Sequence, residues 1–207
     1  MRVEIGLMTL AFFGGMVVQD QVRGDEVKWV DYGENPMENP EFMADWMASQ
    51  TPGAEHEHLA ASAGQWKVDA TMWMDPKAPP MESQGVASRR MIMGGRYLIE
   101  EYKSEFMGMP FEGMLLQGYD NLKQEHWGIW VDNMSTWPSI STGRRDANGA
   151  LTYTGLMHDI STPGGRPYKH VVREKNADET QFDMYDSTPD GTEFKVMGMT
   201  YRREAQK

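Results

Sequence analysis

The sequence predicts an all-β fold, an up-and-down antiparallel β-barrel of about ten strands entered through one short helix. Three observations carry this. Glu55 to Gly64 is rich in helix formers and stops at a glycine, and Gly64-Gln65-Trp66 then opens a pattern of period two. From there to the C-terminus apolar and polar residues alternate in short runs with no sustained helical period. Short turn sequences separate the runs, so each strand returns beside the one before it. A meander of that many twisted strands leaves exposed edges unless it closes, and closure at this size leaves a ligand-sized interior.

The elements follow in chain order. Residues 1–19 read as a candidate export signal, because Arg2 supplies a positive end and Ile5 to Val18 is mostly apolar yet too short to span a bilayer. Glu4, Gly14-Gly15 and the lack of a small-x-small cleavage site weaken the match. As a signal it directs the protein to the periplasm or outside the cell; as a misplaced start it leaves the protein cytoplasmic. Residues 20–54 form an acidic arm, expected to be largely disordered, with Pro36, Pro40 and Pro52 breaking it. Phe42, Met43, Trp46 and Met47 recur at helical spacing there and predict one short helix.

Residues 55–207 make the barrel domain. Trp66, Val68, Ala70, Met72 and Met74 share one face of the first strand, with Lys67, Asp69 and Thr71 on the other. Further strands are expected over 82–93, 96–107, 111–120, 125–134, 137–145, 150–158, 167–175, 180–186 and 193–203. Gly94-Gly95, Met107-Gly108, Asp120-Asn121, Asn148-Gly149, Gly164-Gly165 and Asp190-Gly191 supply the hairpin chemistry between them.

Composition excludes several functions. There is no cysteine, which removes disulfides, thiolate metal sites and cysteine nucleophiles. Residues 20–60 hold ten acidic and two basic residues, net −8, whereas 61–207 hold twenty acidic and seventeen basic, net −3. With no basic stripe, nucleic acid is not an expected partner, and no stretch suits a stable membrane span. Gly-x-Ser-x-Gly, phosphate-loop and dinucleotide motifs are absent. Glu55-His56-Glu57-His58 lacks the His-Glu-x-x-His spacing of a zinc protease and reads as helix-start charge.

Several blocks carry a resemblance. Gly64-x-Trp66 looks like the first-strand motif of calycins, in which a tryptophan closes the barrel floor beneath a late arginine; that resemblance points to Trp66 with Arg202 or Arg203. Trp73-Met74-Asp75-Pro76, Gly94-Gly95-Arg96-Tyr97-Leu98, Phe106 to Gly113, Gly118-Tyr119-Asp120-Asn121 and Trp130 to Thr136 add to it. Together they resemble the bacterial domain of unknown function 1579 family, over Glu55 to Arg203. This resemblance implies a calycin-like, lipocalin-type barrel and brings no catalytic residues with it.

The expected activity is non-covalent binding of a small apolar or amphipathic molecule, as a carrier or sensor. Leu98, Glu100 and Tyr102 share one strand face, as do Trp130, Asp132 and Met134, and Arg173 and Tyr185 sit on later strands; these are the candidate ligand-binding residues. An alternative uses the barrel as a structural platform with the acidic arm engaging a partner. A hydrolase or isomerase would use Glu100 and Asp132 as acid and base. Met72-x-Met74, Met91-x-Met93, Met107-x-Met109 and Met197-x-Met199 could line a Cu(I) site, and His126, His158 or His170 could ligate haem. A compliant methionine lining and ordinary barrel histidines are the simpler accounts, so no cofactor and no metal is assigned. Oligomeric state is left open.

Overall fold

The computed structural model describes residues 29–205; residues 1–19, read as an export signal, lie outside the described residues. The chain divides into a unit ending at Met43 and a unit from Ala44 onward. In the first, Pro36–Glu38 form a 3-10 turn, Asn39 Nδ2 donates to the Tyr32 carbonyl at 2.8 Å, and Tyr32 meets Phe42 edge-on at 5.1 Å. Helix α1 runs Pro40–Gln50 and covers the Phe42 to Met47 positions expected to be helical. Its start is well specified. Pro40 needs no N–H in the first turn, and Asn39 Oδ1 accepts from the N–H groups of Glu41 and Phe42 at 2.8 and 3.3 Å.

The second unit holds α2 (Ala54–Ala61) and the strands β1 (Gly64–Met72), β2 (Met81–Ile92), β3 (Tyr97–Phe106), β4 (Met109–Asp120), β5 (Glu125–Asp132), β6 (Ser139–Arg145), β7 (Leu151–Met157), β8 (Arg166–Asn176), β9 (Glu179–Ser187) and β10 (Glu193–Arg203). Gly53 precedes α2, and its N–H donates to Nδ1 of His56 at 3.1 Å, which is half of a capping box. Each strand is antiparallel to the next, and β10 pairs with β1, so the barrel is closed. All ten expected strands form. Met107 and Gly108 alone join β3 to β4, with φ of 52° and 78°, the conformation of a type I′ turn matched to strand twist.

Register fixes which side chains face the lumen. Trp66, Val68 and Ala70 of β1 are buried while Lys67 and Asp69 are exposed. Cross-strand partners share a face, so the pairings carry this parity around the barrel. It places Leu98, Glu100 and Tyr102, Leu115 and Gln117, His126, Trp130 and Asp132, Tyr153, Tyr168 and His170, Phe182, and Met199 and Tyr201 inward. Trp66, Val68, Ala87, Tyr102 and Tyr201 form the buried core, with Phe111, Trp130, Phe182 and Met199 against it.

Inward-facing glycines explain how the aromatic rings fit. A Cβ on Gly113 would strike the Trp130 indole, one on Gly143 would stand 2.9 Å from Cδ1 of Tyr153, one on Gly155 2.8 Å from Cε1 of Tyr168, and one on Gly85 2.6 Å from the Tyr102 hydroxyl. The rings occupy the wall space those glycines leave free. Leu115, Trp130, His170, Phe182, Met184 and Met199, all inward on a closed barrel, remain only half-buried.

Candidate functional site

One end of the barrel is closed by an arginine–tryptophan stack. Trp66, 1% exposed, lies between Arg203 at 4.3 Å and Arg89 at 5.2 Å from its ring, and Arg89 also sits 4.4 Å from the Tyr201 ring. Arg203 donates to the carbonyls of Ala63 and Ala61 at 2.5 and 2.8 Å, and the Trp66 indole donates to that of Ser62 at 3.0 Å, so the floor is tied to the end of α2. Of the two arginines expected there, Arg203 takes the position. Arg202 has the opposite parity and pairs outside the barrel with Asp69 and Glu179.

Above the floor, Arg89 Nε donates to Glu100 Oε2 at 2.5 Å and Tyr201 donates to Glu100 Oε1 at 3.2 Å. The side chains of Arg89 and Glu100 are 11% and 4% exposed, so this is a buried ion pair. Burial alone would lower the Arg89 pKa, but the Glu100 charge outweighs it and raises it; burial, with Glu100 beside it, pushes the Tyr201 phenol well up. All three groups satisfy one another. Sequence reasoning missed Arg89, because a basic residue in an alternating strand looks like any surface arginine.

A second polar set lies where α2 meets β5 and β6. Glu55 Oε2 is 3.0 Å from Nε2 of His126 and accepts from Arg145 Nε at 3.3 Å. Burial would raise the Glu55 carboxyl, but Arg145 and His126 outweigh it and leave it lowered. Burial lowers His126, with Arg145 and His56 adding to it against the pull of Glu55. The Nδ1 of His126 and the Oη of Tyr153 have no hydrogen-bond partner among the described residues. Burial drives His170 down to about 4. Tyr153 and Tyr168 are raised, again by burial first.

The opposite end is pinned by Arg166, whose guanidinium forks onto Asp186 at 2.7 to 3.0 Å and also bonds Asp159 and, at 2.7 Å, Thr162 Oγ1. Those contacts hold residues 158–165 against the end of β9.

The expected ligand-binding residues do not form one set. Leu98, Glu100 and Tyr102 are buried on the inner face of β3. Trp130 and Asp132 also face inward, with the indole donating to Asp132 Oδ2 at 2.9 Å. Met134 lies past the end of β5, where its N–H donates to Asp132 Oδ1 at 2.9 Å and its side chain is exposed, so it shares no face with the other two. Arg173 and Tyr185 have outward parity: Arg173 pairs with Asp183 at 2.8 Å, and Lys169 sits 4.8 Å from the Tyr185 ring. Both therefore belong to the outer face. Glu100 and Asp132, considered as an acid–base pair, are held by different partners. Among the methionine pairs only Met197 and Met199 share an inner strand face; Met74, Met93 and Met107 lie in turns. His158 also lies beyond its strand, near the Pro163 carbonyl at 3.3 Å.

Among the described residues no His, Asp and Glu grouping could hold a metal, and no helix is long and apolar enough to cross a membrane. No curated protein matches the chain. Among solved structures, Rv2717c from M. tuberculosis is similar over 75% of this chain and 100% of its own at 10% identity, with a TM-score of 0.55. The S-type phycobiliprotein lyase CPES from Guillardia theta is similar over 78% of this chain and 98% of its own, also at 10% identity, with a TM-score of 0.56. Likeness at that identity is a likeness of fold, a calycin-like closed barrel. The assignment to a family rests on sequence: residues 51–203 match the family described as Protein of unknown function (DUF1579), and the chain belongs to it.

Proposed function

We propose that the barrel binds a small apolar or amphipathic molecule non-covalently in its lumen, as a carrier or sensor. The observation that carries this reading is the half-buried inner face. Leu115, Trp130, Phe182, Met184 and Met199 point into a closed barrel yet keep exposed surface. Covering such surface stabilises a complex by about 25 cal/mol per Å², so 200 Å² of apolar contact is worth about 5 kcal/mol before the entropy of association is subtracted. Methionines at 184, 197 and 199 supply an adaptable part of that wall.

Native mass spectrometry of the protein purified from its host, with N-phenyl-1-naphthylamine titration on the same sample, tests the reading. The expected result is a reproducible bound mass, or probe fluorescence that rises on binding, with both lost in Met199→Trp, which fills the lumen. A clean apo mass together with no response to the probe overturns it, and the acidic arm then becomes the part to test for partner capture.

A further inference from the structure

Register gathers methionines of the lumen into one row. Cross-strand partners run Met81–Met72 between β2 and β1, Met72–Met197 between β1 and β10, Met197–Met184 between β10 and β9, and Met184–His170 between β9 and β8. Neighbouring strands thus put four thioethers and an imidazole at one level of the inner wall, near the end opposite α2, where β1 stops and β2 starts. The next level towards the floor reads Ser83, Ala70, Met199, Phe182 and Val172, with a single methionine. Methionine in every strand is therefore a property of this row and not of the lining as a whole. All five members are half-buried, so the row is neither sealed in the core nor turned out to solvent.

The row has the chemistry of a site for a soft cation. Direct partners carry Cβ atoms about 4.5–5.5 Å apart, and the inner face of a closed barrel is concave, so side chains from neighbouring strands converge. Methionine is unbranched with three rotatable bonds, which lets the thioethers of Met72 and Met184 meet that of Met197, the middle of the three. His170 stands next in the row. Tyr153 and Phe182 stack on its ring at 4.6 and 5.1 Å, which fixes the ring plane and covers its face, whereas a metal is bound at the ring edge, through a nitrogen lone pair. Neither a hydrogen bond nor a charged group acts on this imidazole, and burial keeps it neutral at pH 7. Three thioethers and a neutral imidazole suit monovalent copper; calcium and magnesium require oxygen ligands, and zinc takes thiolates, carboxylates or several imidazoles. The set owes nothing to Met-x-Met spacing and exists only through strand pairing.

We propose that the lumen binds one Cu(I) ion through the thioethers of Met72, Met184 and Met197, with the imidazole of His170 as the fourth ligand. The assignment needs no apolar ligand, so it stands or falls apart from the reading above. Anaerobic titration of the full chain into the Cu(I)–bicinchoninate complex, followed by X-ray absorption of the copper-loaded protein, tests it.

The expected result is that the chain withdraws one equivalent of Cu(I) and that the copper shows a first shell of sulfur with one nitrogen. Met72→Leu, Met184→Leu and Met197→Leu nearly conserve volume, so each should weaken Cu(I) binding by about tenfold or more while leaving the thermal midpoint of the metal-free protein almost unchanged. Met93→Leu and Met107→Leu, exposed in turns, should leave binding as it was. His170→Phe should remove the nitrogen and keep the sulfur. No withdrawal of copper, a first shell without sulfur, affinity unchanged in all three row variants, or an equal loss in the two turn variants overturns the inference, and a nitrogen that persists in His170→Phe overturns the place of His170 in it. Where a row variant fails to fold, the absorption spectrum of the unaltered chain still decides.

Discussion

At the residue scale the Arg89–Glu100 pair carries the largest expected effect. Arg89→Ala leaves a carboxylate in a nearly water-free site and should cost about 3–5 kcal/mol in urea unfolding, whereas the double change Arg89→Leu with Glu100→Leu should recover most of that. A rise in stability on the single change would contradict the burial. His170 sets a pH dependence. Its pKa falls from 6.5 to about 4 on folding, so the unfolded chain takes up a proton first as the pH drops. Stability should be full above about pH 6.5, decline by about 3 kcal/mol towards pH 4 and then level off. His126 and His56 are lowered as well and act in the same direction. Urea midpoints measured from pH 4 to 8 should show the slope, and His170→Phe should flatten part of it. Individual roles were poorly legible in the sequence. Glu100 and Arg173 look alike as charged residues in alternating strands, but register turns one into the lumen and the other out to Asp183.

At the element scale the alternation, the turns and the helix stop at Gly64 were enough to find every strand of the barrel, because each is a local signal. Phase was less accessible. Strands such as β5 and β9 carry apolar or aromatic residues on both faces, Trp127 outward and Trp130 inward for example, so pattern alone cannot orient them. The mid-strand glycines were a usable signal that the strand reading passed over, since glycine inside a strand marks a close approach. Their importance can be measured. Gly143→Ala and Gly155→Ala should each lower stability by about 1–3 kcal/mol, because the added Cβ would strike the Thr152 and Ile140 carbonyls as well as the Tyr153 and Tyr168 rings. Gly128→Ala, whose nearest neighbour would be the flexible end of Leu115 at 3.3 Å, should cost less. Equal costs at all three positions would show that the closer surroundings of Gly143 and Gly155 do not set the cost.

At the scale of the whole molecule, the lumen wall comes entirely from Gly64–Arg203. Removing residues up to Gly53 should therefore leave N-phenyl-1-naphthylamine affinity within about threefold, which is under 1 kcal/mol. It should lower the thermal midpoint, because the Gln50 carbonyl accepts from Arg96 at 2.9 Å and the Ala48 and Thr51 carbonyls from Asn121 at 3.0 and 2.8 Å. Loss of probe binding with the midpoint unchanged would move the site towards the arm. Closure of β1 onto β10 has a further consequence, for synthesis. β1 is the first strand to leave the ribosome and β10 the last, so the free edge of β1 must wait for almost the whole domain before it is covered. The Gln65 carbonyl accepts from the N–H of Glu204 at 2.8 Å, so the two ends of the barrel segment already touch. A circular permutant that links them and opens at Met107-Gly108 would make β3 and β4 the late partners, moving the exposed edge to a different pair of strands while keeping the same finished barrel.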